Sequence, residues 1–120
     1  MPSPINYFVT EKNIRVPAIT AEQMVKIDRL ATQETGPNLF QMMENAGRSL
    51  AELSLNLLGN FWAQSKIVVL AGTGGNGGGG ICAARHLANR HLKVKLCVTS
   101  KEHLKEVPRW QYQIFRNTSG

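Results

Sequence analysis

The chain has 120 residues and a formal net charge of +6, which bounds it to one domain or part of one. Hydrophobic residues make up 42% and charged residues 18%, a balance that fits a folded globular protein and argues against disorder. The longest purely apolar run, Ile67 to Ala71, falls far short of the ~20 residues of a membrane span, so no membrane association is expected.

The opening Met1-Pro2-Ser3-Pro4 is not expected to be a secretory signal. Cys82 and Cys97, the two cysteines, are too few for a disulfide scaffold and form no CxxC pair. They are expected to be reduced, buried small hydrophobes in a reducing compartment, most simply the cytosol. Residues 66–120 carry nine Lys/Arg against two acids, Glu102 and Glu106. That half favours acidic partners, or simply forms a solubilising surface.

Residues 1–16, rich in proline at Pro2 and Pro4 and followed by Pro17, read as an irregular arm. Thr20 to Gln23 has the form of a capping box, and Met24, Ile27, Leu30 and Ala31 share a helical face. Gly36-Pro37 ends that helix, and Pro37 suits the first turn of the next. The second helix carries a stripe of Phe40, Met43, Gly47, Leu50, Leu53 and Leu57. Glu44 and Arg48 are spaced for an ion pair, and Gly59 is a stop.

Lys66 to Ala71 reads as a strand buried on both faces, as in a parallel sheet. A glycine loop, Gly72 to Gly80, leads into a helix with Ile81, Ala84, Leu87 and Ala88 inward. Lys93 to Val98 forms a second strand with one wetter face, and Pro108 opens a last helix with Trp110, Ile114 and Phe115. The order is helix, helix, then β-α-β-α, an α/β fold with parallel strands. Two strands are few for such a sheet, so the native fold is expected to continue past Gly120 or to be completed by another chain.

The informative segment is Gly72-Thr73-Gly74-Gly75-Asn76-Gly77-Gly78-Gly79-Gly80, at a strand-to-helix turn where open α/β sheets place ligands. Glycines there permit positive φ and a close ligand approach, and the helix start supplies N–H groups and a partial positive charge. The stretch matches GxGxxG, yet Thr99-Ser100-Lys101 stands where a dinucleotide fold wants a ribose-binding acid, and no Gly-Lys-Ser/Thr follows, which excludes a P-loop.

The loop resembles the Gly-x-Gly-Asn-Asn-Gly-Gly-Asp-Gly signature of the YjeF N-terminal family. Met43-Glu44-Asn45-Ala46-Gly47 matches that family's helix motif, and Pro17 to Asp28 its opening helix. The resemblance covers residues 17–120. It implies the first part of a three-layer, Rossmann-like α/β domain. It also implies epimerisation of the R and S forms of hydrated NADH and NADPH, an isomerase step of metabolite repair. By resemblance Asn76 contacts potassium and substrate, Gly77 and Gly78 line the nucleotide, and Glu44 and Asn45 face the site.

Gly75 and Gly79 stand where the family has asparagine and aspartate, and the family's acid/base aspartate has no match in this chain. Asp28, the one aspartate, reads as a surface residue. No catalytic residue is therefore assigned. The alternative is a non-catalytic nucleotide-, RNA- or protein-binding module on the same fold, as in the decapping scaffold and apolipoprotein A-I-binding relatives. A homodimer suits either reading. Trp110, Tyr112 and Phe115 beside Arg109 and Arg116 could stack on bases but more often form a helix core. His86, His91 and His103 are expected to be solvated or packing residues.

Overall fold

The computed structural model describes residues 5–120, which form two compact units divided between Pro37 and Asn38. The first unit begins with a hairpin of β1 (Asn6–Val9) and β2 (Arg15–Ala18), antiparallel with Tyr7 opposite Pro17. The irregular arm expected over residues 1–16 is therefore corrected from Asn6 onward; residues 1–4 lie outside the described part. Asn13 takes the left-handed turn position (φ 58°) that asparagine tolerates. Thr10 Oγ1 accepts the Ile14 N–H at 3.1 Å. The Arg15 guanidinium lies 4.7 Å from the Tyr7 ring centre.

Helix α1 (Ala21–Leu30) starts at the expected Thr20–Gln23 capping box, both of whose hydrogen bonds form. It buries no residue, and Met24, Ile27 and Leu30 are exposed. A wide turn over Ala31–Thr35 ends at Gly36 (φ 101°).

The second unit opens with α2 (Leu39–Leu58). Its N-cap is Asn38, boxed with Gln41, so Pro37 precedes the cap instead of opening the helix. The face turned inward is Gly47 and Ala51, with Leu55 and Leu58 half-buried against the core. Leu50, Leu53 and Leu57, expected inside, are 44%, 53% and 80% exposed. Met43 and Gly47 of the expected stripe do face the core, but the apolar residues of α2 wind around most of the helix, so spacing alone mistook Leu50, Leu53 and Leu57 for its continuation. Gly59 (φ 55°) ends it as expected.

Strand β3 (Lys66–Ala71), helix α3 (Gly75–Ala88) and parallel strand β4 (Lys93–Val98) form the β-α-β unit, with Lys66 opposite Lys93 and Ala71 opposite Val98. Helix α4 (Glu106–Phe115) follows, Pro108 lying in its first turn. The core is Ala51, Ile81, Ala84, Leu87, Leu92, Val94, Leu104 and Phe115. Phe115 is buried, Tyr112 half-buried under Lys101, and Trp110 set edge-on to Phe40, so these rings are not a row of free stacking platforms. The α/β order matches the sequence reading.

Two expectations for this unit change. Only one face of β3 is covered: Lys66, Val68 and Leu70 are exposed, while Ile67 and Val69 face the helices. Of the cysteines, Cys82 is buried but Cys97 is exposed.

The glycine stretch is not a loop to Gly80. Residues 75–80 are the opening turns of α3, and none of residues 72–80 has a positive φ. Each helical glycine costs about 1 kcal/mol against alanine, so contacts explain some of them. A Cβ on Gly77 would lie 2.0 Å from the Gly72 carbonyl oxygen. One on Gly78 would lie 2.6 Å from the Met43 side chain and 2.9 Å from Pro108. On α2, a Cβ at Gly47 would lie 2.3 Å from Cys82 Sγ. Gly79, by contrast, has nothing within 4 Å of that position.

These contacts give opposite signs for one substitution. Gly47→Ala should lower unfolding free energy by about 1–3 kcal/mol through overpacking. Gly79→Ala should raise it by roughly 0.5–1 kcal/mol through helix propensity. Urea denaturation of both variants reads the two signs directly.

Candidate functional site

The C-terminal ends of β3 and β4 carry the loop Gly72-Thr73-Gly74. Thr99 N–H donates to Ala71 O at 3.0 Å, and Lys105 N–H donates to Thr73 O at 3.2 Å. The second bond ties the cap residue of α4 to the loop. Both α3 and α4 begin without a side-chain cap, at Gly74 and Lys105. The first-turn N–H groups of α3 therefore meet no capping oxygen, and the helix dipole adds positive potential there. Cβ positions at Gly72, Gly74, Gly75 and Gly79 all point into open space. A side-chain-free helix start of this kind accepts anions, phosphates above all.

Among the residues singled out from sequence, Gly75 and Asn76 are exposed in the first turn of α3, Gly77 and Gly79 are half-buried, and Gly78 is buried. Asn45 is exposed, its Oδ1 accepting from Arg48 Nη2 at 3.2 Å. Glu44 points not at this loop but at the second half of α3. Met43 is the member of that motif that reaches the glycines, through Gly78.

Glu44 gathers a network that joins α2, α3 and α4. Arg85 Nη2 donates to both carboxylate oxygens. His86 Nε2 lies 2.7 Å from Oε1, and Gln111 Nε2 donates to Oε2 at 3.2 Å. Cys82 Sγ lies 3.4 Å from Oε2. Partial burial pushes the Glu44 carboxyl up, but the hydrogen bonds from Arg85, Gln111, His86 and Cys82 outweigh it and bring it to about 2. Burial and the Glu44 charge push the Cys82 thiol up to about 11. Burial works against the Arg85 charge, yet Glu44 still moves its pKa above the ordinary value.

The expected Glu44–Arg48 pair is thus replaced by Glu44–Arg85. His86 is a network member, a role the sequence reading missed. A signal was present: a carboxylate beside the buried seam of α2 needs a partner. Nothing local in the sequence names Arg85, His86 or Gln111 as that partner.

Glu44, Cys82 and His86 place three potential metal-ligand atoms within 4.8 Å of one another. The chemistry opposes a cation. Arg85 Nη2 already donates to both carboxylate oxygens, and its positive charge stands where a cation would have to sit. This is a structural ion-pair network.

Its pH dependence has a definite sign. A carboxylate with a folded pKa of about 2 contributes stability above its unfolded pKa, near the 4.5 of an ordinary glutamate, and loses it as pH falls toward 2. Glu44 is 43% exposed on its side chain, so solvent screening reduces the contribution to roughly 1–2 kcal/mol. Glu44→Gln should be less stable than the parent at pH 7, with the gap closing between about pH 5 and pH 2. Thermal unfolding across that range checks this.

Comparison with known proteins identifies the family. The family profile described as YjeF-related protein N-terminus matches residues 39–120. A protein of Dehalogenimonas lykanthroporepellens named NAD(P)H-hydrate epimerase is 53% identical over 113 residues, covering 94% of this chain and 46% of that protein. A bifunctional NAD(P)H-hydrate repair enzyme Nnr of Moorella thermoacetica is 33% identical, covering 85% of this chain and 19% of its own length. An NAD(P)H-hydrate epimerase of Elusimicrobium minutum is 36% identical, covering 63% of this chain and 34% of its own length. The chain spans less than half the length of each of these relatives. The profile match covers more than half of the chain, and on that ground the chain belongs to the YjeF-related N-terminal family.

Proposed function

We propose that this chain is the nucleotide-holding part of an NAD(P)H-hydrate epimerase, the isomerase of metabolite repair that interconverts the R and S forms of hydrated NADH and NADPH. The observation that carries the reading is the uncapped, glycine-built start of α3 at the ends of β3 and β4. It occurs in a chain 53% identical to a protein named for that activity. The dinucleotide pyrophosphate would sit on the N–H groups of Gly75, Asn76 and Gly77. Gly78, Met43 and Pro108 would hold the helix start in place, and the Asn76 amide would meet the substrate.

Acid/base chemistry is a different matter. Epimerisation beside a nitrogen needs a group that moves a proton. Glu44 is ionised, engaged by Arg85 and directed at the second half of α3, so it does not serve. The 120 residues alone should bind substrate without turning it over. Potassium enters this reading only through Asn76, and the fit is poor. Gly75 and Gly79 offer no side-chain oxygen, and the positive end of α3 repels a cation. A non-catalytic binding module is the second reading, supported by the two glycine replacements, and binding of RNA or protein without any hydrated dinucleotide would favour it.

Asn76→Asp separates ligand binding from folding. A carboxylate at the second position of α3 should stabilise the helix by about 0.3–1 kcal/mol while repelling a pyrophosphate. The variant should therefore melt higher and bind hydrated NADPH roughly tenfold more weakly, as about 1.4 kcal/mol of repulsion would give. Equal affinity in calorimetry would contradict the proposed seat of the pyrophosphate.

A further inference from the structure

The segment between β4 and α4 is pinned to the glycine loop at both ends. Thr99 N–H donates to Ala71 O at 3.0 Å, and Lys105 N–H donates to Thr73 O at 3.2 Å. Leu104, buried in the core, anchors it from beneath. Residues 100–103 are thereby held at the C-terminal end of β4, beside the parallel strand that leads into Gly72, Thr73 and Gly74. In a β-α-β unit that holds a dinucleotide, this place meets the adenosine ribose. An acid there accepts from a 2′-hydroxyl, whereas a cation accommodates a 2′-phosphate.

Here the segment carries Ser100, Lys101 and His103 with one acid, Glu102. Ser100 Oγ donates to Glu102 Oε2 at 3.2 Å and lies 2.6 Å from His103 Nδ1. The hydroxyl has a single proton, so with that proton on Glu102 its oxygen accepts from the His103 Nδ1–H. The carboxylate meets the serine and not the histidine, so the trio is not a nucleophile with an oriented base. Glu102 is engaged, while Lys101 and Lys105 form no salt bridge among the described residues. Lys101 Nζ lies 5.6 Å from the Tyr112 ring centre, a contact that orders the side chain without neutralising it.

We infer that Ser100, Lys101 and His103 form a subsite for a 2′-phosphate, so that the site takes hydrated NADPH in preference to hydrated NADH. This rests on the reading of the glycine loop as the seat of the pyrophosphate. A phosphomonoester carries a charge of about −1.5 to −2 at pH 7, and a 2′-hydroxyl carries none. The Lys101 ammonium therefore discriminates between them. Ser100 turns its proton from Glu102 to a phosphate oxygen, and His103 adds a ring N–H. Glu102 is the opposing charge and keeps the preference moderate.

Calorimetry of the 120-residue chain with ADP-ribose and with 2′-phospho-ADP-ribose tests this. The phosphorylated probe should bind about tenfold more tightly, an advantage that shrinks as salt rises to about 0.5 M. Lys101→Ala should bring the two affinities within about twofold of each other, and Glu102→Gln should widen the ratio. Lys93→Ala removes the same charge at the far end of β4 and should leave the ratio as it is.

Equal affinity for the two probes, or tighter binding of ADP-ribose, would overturn the inference and leave the pyrophosphate seat standing. A ratio lowered as much by Lys93→Ala as by Lys101→Ala would also overturn it, because net charge would then account for the preference. Binding of neither probe would overturn the inference together with the reading on which it rests.

Discussion

The second unit depends on how closely α2 approaches α3. At Gly47 there is no room for even one carbon atom beside Cys82. That contact brings Glu44, one turn earlier on α2, within reach of Arg85 and His86 on α3 and Gln111 on α4. A carboxylate in this position is costly unless it is paired. Once paired, it fixes the rotation of α3 about its own axis. The same approach brings Met43 against Gly78 and so holds the first turn of α3 from behind. The helix start can then remain a bare row of N–H groups, without the capping side chain that most helices use.

The glycines divide by this logic into two kinds. Gly47, Gly77 and Gly78 are required by crowding, since neighbouring atoms occupy their missing side chains. Gly72, Gly74, Gly75 and Gly79 face open space. Nothing in the fold requires those four to lack a side chain, and each helical glycine costs stability. The ligand of the proposed function, approaching the backbone closely, would account for such a distribution.

Much of this was legible in the sequence, for physical reasons that differ by element. Thr20 and Gln23 announce a helix start because a capping box is local chemistry. Gly36 and Gly59 mark ends because they supply a backbone conformation that side chains disfavour. The β-α-β order follows from Val- and Ile-rich strands around a helical pattern. What failed was long-range. Leu50, Leu53 and Leu57 satisfy helical spacing as well as Ala51, Leu55 and Leu58 do, and only the tertiary contact decides between them. Prolines hid the hairpin, although Pro17 fits an edge strand. The glycine run read as a loop because propensity opposes helix there, and packing overrode it. The Glu44–Arg85 pair joins residues too far apart in the chain for any spacing rule to link.

In the proposed function, the open loop and the bare helix start would seat the nucleotide at the C-terminal ends of β3 and β4. The Glu44 network provides the frame that orients α3. The most direct measurement is the amide nitrogen–proton spectrum of the 120-residue chain as ADP-ribose is added, since that probe carries the pyrophosphate without the reactive ring. The account predicts shifts concentrated at Gly74, Gly75, Asn76, Gly77 and Gly78. It also predicts only small changes at Glu44 and Arg85. Shifts centred elsewhere, or none at saturating probe, would contradict it.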